Sequence, residues 1–126
     1  GRGLMVLIGV EVGDSEKDAQ YIADKVTGLR IFEDENGKMN LSVKETNGKI
    51  LAVSQFTLLG DVRKGKRPSF TKAARPEEAQ SLYRRVIENI ISQGIDVEEG
   101  IFQEEMLVEI YNDGPVTILL DSNKKF

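Results

Sequence analysis

Apolar and polar positions along the chain follow two periods, and the switches between them mark the elements. Leu4 to Val10 is a nearly unbroken apolar run, which predicts a buried strand. Within "GDSEKDAQYIADKVTGL", Ala19, Ile22, Ala23 and Val26 recur at helical spacing and predict a short amphipathic helix. Asp14 or Ser15 can cap it, Glu16 and Asp18 suit its first turn, and Gly28 sits where it should end. "RIF" and "MNLSV" flank the polar turn "EDENGK", the second with the alternation of a strand. "ETNGK" predicts a tight hairpin, because Asn-Gly tolerates the positive φ values of a primed turn. "KILAVSQFTLL" is then apolar for five residues from Ile50, as in a strand covered on both faces, and it ends in Ser54-Gln55-Phe56-Thr57. In "RPEEAQSLYRRVIENIISQG", Ala79, Leu82, Tyr83, Val86, Ile87, Ile90 and Ile91 hold the i, i+3, i+4 pattern of a second helix. Pro76 suits its first turn, Glu77 and Glu78 complement its dipole, and Gly94 ends it. "EEMLVEIYNDGPVTILLD" predicts two strands joined by Asn-Asp-Gly-Pro. Interleaved strands and helices, without repeat or linker, place the chain in the α/β or α+β class with a mixed sheet.

Composition narrows the function more than the fold. A chain of 126 residues, 30% charged and 40% hydrophobic, fits one ordinary globular domain over residues 1–126. Its apolar runs are far too short to cross a bilayer, no basic and apolar leader precedes them, and cysteine is absent, which together suggest a cytoplasmic protein. Histidine is absent as well, so no Ser-His-Asp triad, no cysteine nucleophile and no histidine- or thiolate-built zinc site can exist. No cofactor is implied. An enzyme of this composition must position and polarise its substrate, or borrow acid and base from it.

Net charge is −4, yet Arg63, Lys64, Lys66, Arg67, Lys72 and Arg75 fall between residues 63 and 75 with no acidic residue among them. That segment is either a solvated loop or a patch that faces phosphate. Two stretches place hydroxyls, amides and turning backbone at strand ends: Ser54-Gln55-Phe56-Thr57, and Asn112-Asp113-Gly114-Pro115-Val116-Thr117. The first can be a strand end satisfying its own backbone, and Gly114-Pro115 can be an ordinary turn. Together, in a chain without histidine, they suggest a site of backbone groups, one amide and hydroxyls, able to hold an ester carbonyl as an oxyanion hole does. The Gly-Pro bond is also where a cis peptide is affordable.

"VSQFTL" at 53–58, "RPSF" at 67–70, "NDGPVT" at 112–117 and "RIFEDENGKMNLSV" closely resemble the D-aminoacyl-tRNA deacylases, also called D-tyrosyl-tRNA deacylases, and stand in the same order. The resemblance covers essentially the whole chain and implies barrel-like layers of mixed sheet with two helices. It also implies a further N-terminal segment, with a strand, ahead of Gly1. The implied activity is hydrolysis of the ester joining a D-amino acid to the terminal adenosine of tRNA, in a homodimer with its sites at the subunit interface. Gln55, Phe56 and Thr57 match the catalytic motif. Ser54, Asn112, Gly114, Pro115, Val116 and Thr117 match substrate-binding positions. A cis Gly114-Pro115 bond, inserted into the partner's pocket, would turn away L-side chains while leaving little to hold out a glycyl ester, such as glycine mischarged on tRNA(Ala). Arg63, Lys64, Lys66, Arg67 and Lys72 would meet tRNA.

With no histidine as base, Thr57 is expected to position rather than attack. Water then attacks, assisted by the ribose 2′-hydroxyl and by backbone N–H groups near Phe56 and Thr57. A related branch that favours other mischarged tRNAs carries Pro-Gln-Ala-Thr at the first motif, so Ser-Gln-Phe-Thr assigns this chain to the D-specific branch. The rival reading is a non-catalytic RNA- or DNA-binding domain on the same fold. A purely structural dimer explains neither motif.

Overall fold

The computed structural model describes residues 2–126. The elements are β1 (Gly3–Ile8), α1 (Glu16–Gly28), β2 (Phe32–Glu33), β3 (Met39–Leu41), β4 (Lys49–Ser54), a 3-10 turn (Phe56–Leu59), α2 (Pro76–Ser92) and β5 (Val97–Glu99). β4 lies between β1 and β5, parallel to both, while β2 and β3 form a separate antiparallel pair. The mixed α/β class with two amphipathic helices holds, as two small sheets.

Register explains the core. Leu4 pairs with Ile50, Val6 with Ala52 and Ile8 with Ser54, so Leu4, Val6, Ile8, Ile50 and Ala52 share one face. That face packs on Ala19, Ala23 and Val26 of α1 and on Tyr83, Val86, Ile87 and Ile90 of α2, the helical stripes seen in the sequence save Ile91, which faces solvent instead. Ile50, Ile87, Ile90 and Val43 lose essentially all solvent contact. α1 starts where expected: the Asp18 carboxylate accepts from the Ser15 backbone N–H at 2.8 Å. The same bond, with that of Ser122, holds the Asp18 carboxyl below its usual range.

Two sequence expectations are corrected. "ETNGK" does turn, with Asn47 at φ 55°, but it makes no hairpin. Gly48 N–H bonds to Val43 O at 3.0 Å, a helical-type turn that delivers β4 into a parallel sheet and leaves β3 paired only with β2. The two strands expected in 104–121 do not form, and residues 101–126 carry turns without a ladder. Their apolar side chains stay open, with Leu107 89% and Tyr111 92% exposed, so no face of this segment is buried deeply enough to fix a register. β5 carries no clear strand signal in the sequence because it is three residues long with two glutamates.

Candidate active site at the end of the central strand

In open sheets of parallel strands, ligands gather beyond the carboxyl ends of the strands. The first motif stands there. Ser54 is the last residue of β4, Gln55 N–H bonds to Ile8 O at the end of β1 (2.8 Å), and the chain then winds into the 3-10 turn. The first donor of that turn is Leu58 N–H, to Gln55 O at 3.3 Å, so the preceding N–H groups of Phe56 and Thr57 are free of its ladder. The Gln55 side-chain amide donates to the Thr57 hydroxyl. Among the described residues that hydroxyl has no carboxylate or lysine partner, so nothing here is placed to deprotonate it.

The segment after the turn folds back on itself. Asp61 and Ser69 exchange both backbone hydrogen bonds at 2.8 Å, closing residues 62–68 into a clamped tip. Two further bonds tie its return to the chain that leaves β1: Val12 N–H to Lys72 O at 2.8 Å, and Ala74 N–H to Val10 O at 2.9 Å. Just inside the clamp, Phe70 of "RPSF" meets Phe56 edge-on, with ring centroids 5.2 Å apart and planes at 69°. Gly60 makes room for this. A Cβ there would lie 3.0 Å from both the Phe70 ring and the Thr57 carbonyl oxygen, so a side chain would displace one of them.

Lys64, Lys66, Arg67 and Lys72 are exposed. Arg63 is different. Its guanidinium bonds to both oxygens of Asp61, at 3.0 and 2.6 Å, and Asp61 Oδ1 also accepts the Arg63 backbone N–H at 2.9 Å. These bonds hold the Asp61 carboxyl far below the carboxylate range. The clustered positive charge is therefore one less than the sequence alone suggests, because Asp61 lies just ahead of the run.

The second motif does not join the first within one chain. Asn112, Gly114, Pro115 and Thr117 are exposed, and Val116 is half-buried. Among the described residues no hydrogen bond links 112–117 to 54–57. Gly114 turns the corner with φ 139°. No described peptide bond is cis, so the cis Gly114-Pro115 bond that the resemblance implied is corrected to trans. The two isomers of an X-Pro bond differ by only about 0.5–1 kcal/mol, and an exposed corner has no packing to select the rarer one.

The family model described as D-Tyr-tRNA(Tyr) deacylase matches residues 1–121. The chain belongs to this family. It is 62% identical over 125 residues to a D-aminoacyl-tRNA deacylase of Koribacter versatilis, covering 99% of this chain and 84% of that protein. A D-aminoacyl-tRNA deacylase of Symbiobacterium thermophilum is 60% identical over 126 residues, with 100% and 83% covered. A solved structure titled c-Myc DNA Unwinding Element Binding Protein superposes with a TM-score of 0.86 at 40% identity, covering 94% of this chain and 80% of that one. A probable eukaryotic D-amino acid tRNA deacylase, 24% identical with a TM-score of 0.62 over 76% and 57% of the two chains, shares the fold.

Within this deacylase-family chain two concave surfaces lie away from the first motif. Cavities of about 160 and about 370 Å³ share Ile95 and Asp96 and reach Gly48 and Lys49 at the start of β4. That is five residue steps, roughly 16 Å, from Ser54. At the motif end Phe56, Thr57 and Leu58 are exposed in a single chain. Sequence reasoning also missed two residues that shape the site. Gly60 had no local signal at all, whereas Asp61 was legible as an acid two places before Arg63.

Proposed function

We infer that the chain hydrolyses the ester of D-aminoacyl-tRNA, releasing free D-amino acid and tRNA. The observation that carries the reading is the arrangement at the end of β4. Two consecutive N–H groups, Phe56 and Thr57, sit beside a hydroxyl held by the Gln55 amide, in a chain whose relatives are named for this activity. The N–H pair would bind the carbonyl oxygen as it becomes an oxyanion. Water adds to the carbonyl carbon, the bond to the ribose 3′-oxygen breaks, and the proton lost by water returns to that oxygen by way of the substrate's own 2′-hydroxyl. Thr57, held by Gln55, orients the ester, and Ser54 lines its approach.

The open site and the exposed second motif support completion of the pocket by a second copy. In such a homodimer the partner's Asn112–Thr117 corner would stand over the ester, and the backbone at Gly114-Pro115 would exclude an L-side chain sterically while passing D-residues and glycine. Lys64, Lys66, Arg67 and Lys72 would hold the acceptor stem, and the working compartment would be the cytoplasm, where tRNA is charged. No helix of the described residues is long and apolar enough to cross a membrane.

The similarity to a protein titled as a DNA-element binder supports a second reading, a nucleic-acid-binding domain without catalysis. One experiment separates them. The chain is incubated with D-tyrosyl- and L-tyrosyl-tRNA, and release of each amino acid is followed beside a binding measurement. Rapid loss of D-tyrosine alone is the expected result. Tight binding with no release of either would leave the binding domain as the better account.

A further inference from the structure

The rings of Phe56 and Phe70 are apolar surface left open at a site otherwise built for polar chemistry: Phe56 is 56% exposed and Phe70 38%. They do not drift there. Phe56 belongs to the catalytic turn, Gly60 leaves room for the Phe70 ring, and the Asp61–Ser69 clamp fixes the backbone one residue before Phe70. Beyond the clamp the tip carries the exposed Lys64, Lys66 and Arg67, so along the folded-back loop Phe70 comes between these cations and its contact with Phe56 at the turn. Single-stranded nucleic acid is held by this combination, cations along the backbone and rings on which bases stack without sequence preference.

We propose that Phe70, braced edge-on by Phe56, is a stacking platform for a nucleobase of the single-stranded acceptor end, one that precedes the terminal nucleotide carrying the ester. The proposal rests on the deacylase reading above. It makes Phe70 a binding residue with no part in the chemistry, and it assigns Gly60 the task of keeping the ring in place. The base it takes is unpaired, and its identity matters little, because every base offers a π face.

The test compares D-tyrosyl-tRNA with D-tyrosyl-adenosine, which carries the ester but no preceding nucleotide. Phe70→Leu should raise KM for D-tyrosyl-tRNA about tenfold, within the range for losing one stacked base, with kcat unchanged. Cleavage of D-tyrosyl-adenosine should be unaffected by the same change. Phe70→Tyr, which keeps a ring, should restore the tRNA KM. Gly60→Ala should shift KM in the direction of Phe70→Leu. An equal loss on both substrates, or no loss on tRNA, overturns the proposal. Intact cleavage of D-tyrosyl-adenosine by Phe70→Leu shows that the variant is folded and keeps the two ideas apart. If the parent protein cleaves neither substrate, it is the deacylase reading that has failed.

Discussion

Replacing Lys64 and Lys66 together by alanine removes two charges from the clamped tip without touching a buried contact, since both side chains are exposed. Each phosphate neutralised by a bound cation contributes roughly 0.7–0.9 to the slope of log affinity against log salt. Of the five basic residues assigned to tRNA, Arg63 already has Asp61 as its counter-ion at 2.6 Å, which leaves four free. The double substitution should therefore flatten the slope by about 1.4–1.8 and weaken tRNA binding roughly 25- to 60-fold near 0.1 M salt. Arg63→Ala should do much less than either lysine. Asp61→Asn, which releases the guanidinium, should steepen the slope. The Asp61 carboxyl is held low, so its contribution is present above its unfolded pKa and lost only as pH falls toward the depressed value. The contrast should accordingly be the same at pH 6 and pH 8. The assay is filter binding of one uncharged tRNA from 50 to 300 mM salt. Superimposable slopes for parent and double variant would refute the phosphate contact, and an Arg63→Ala loss equal to a lysine's would refute the count of free charges.

Other expectations rest on the same geometry. Thr57→Ala should retain measurable deacylation, and mass spectrometry during turnover should find no aminoacyl ester on the protein; a trapped ester on Thr57 would reverse its role. Ile90→Ala empties a fully buried position between α2 and the sheet and should lower unfolding free energy by about 2–5 kcal/mol in urea. Ile91→Ala, at a position 52% exposed, should cost much less, and equal losses would contradict the assignment of the core face. Burial raises the Asp14 carboxyl, and the negative charges of Asp18, Glu11 and Asp121 add to the effect. Its ionised form is thus disfavoured in the fold, and stability falls as pH rises through the raised value. Asp14→Asn, which can still accept the Glu11 N–H, should stabilise slightly at pH 7. The gain should vanish below about pH 4, where the acid is neutral in both states.

The helices were legible because each is long enough to show its stripe several times: Ala19 to Val26 in α1, and Ala79 to Ile90 in α2, name the face that the structure buries. β4 was legible as a strand covered on both faces because its apolar run is unbroken from Ile50. Pairing was not. Asn47-Gly48 carries the local chemistry of a hairpin, but whether the next strand returns beside β3 or runs parallel to β1 depends on contacts 46 residues away, such as Leu4 with Ile50. The site divides similarly. That the chain leaves its strand at Ser54 to Thr57 was legible because the apolar run gives way to the polar quartet there in the sequence. The Phe56–Phe70 contact and the room left at Gly60 arise from a loop closing on itself, which no window of sequence contains.

The ladder-free segment near the carboxyl end has a consequence for handling the protein. Val116 to Leu120, "VTILL", is β-branched or leucine throughout and uncharged, and Ile118 and Leu119 are 49% and 66% exposed. Such a window is a seed for cross-β stacking when chains are crowded. Its flanks oppose that outcome. Pro115 on one side cannot donate to a growing ladder, and Asp121 on the other stacks like charge on like in any in-register fibril. The same proline that shapes the corner is therefore a gatekeeper. Replacing it with a residue that can donate a hydrogen bond should shorten the lag before fibrils form in concentrated solution.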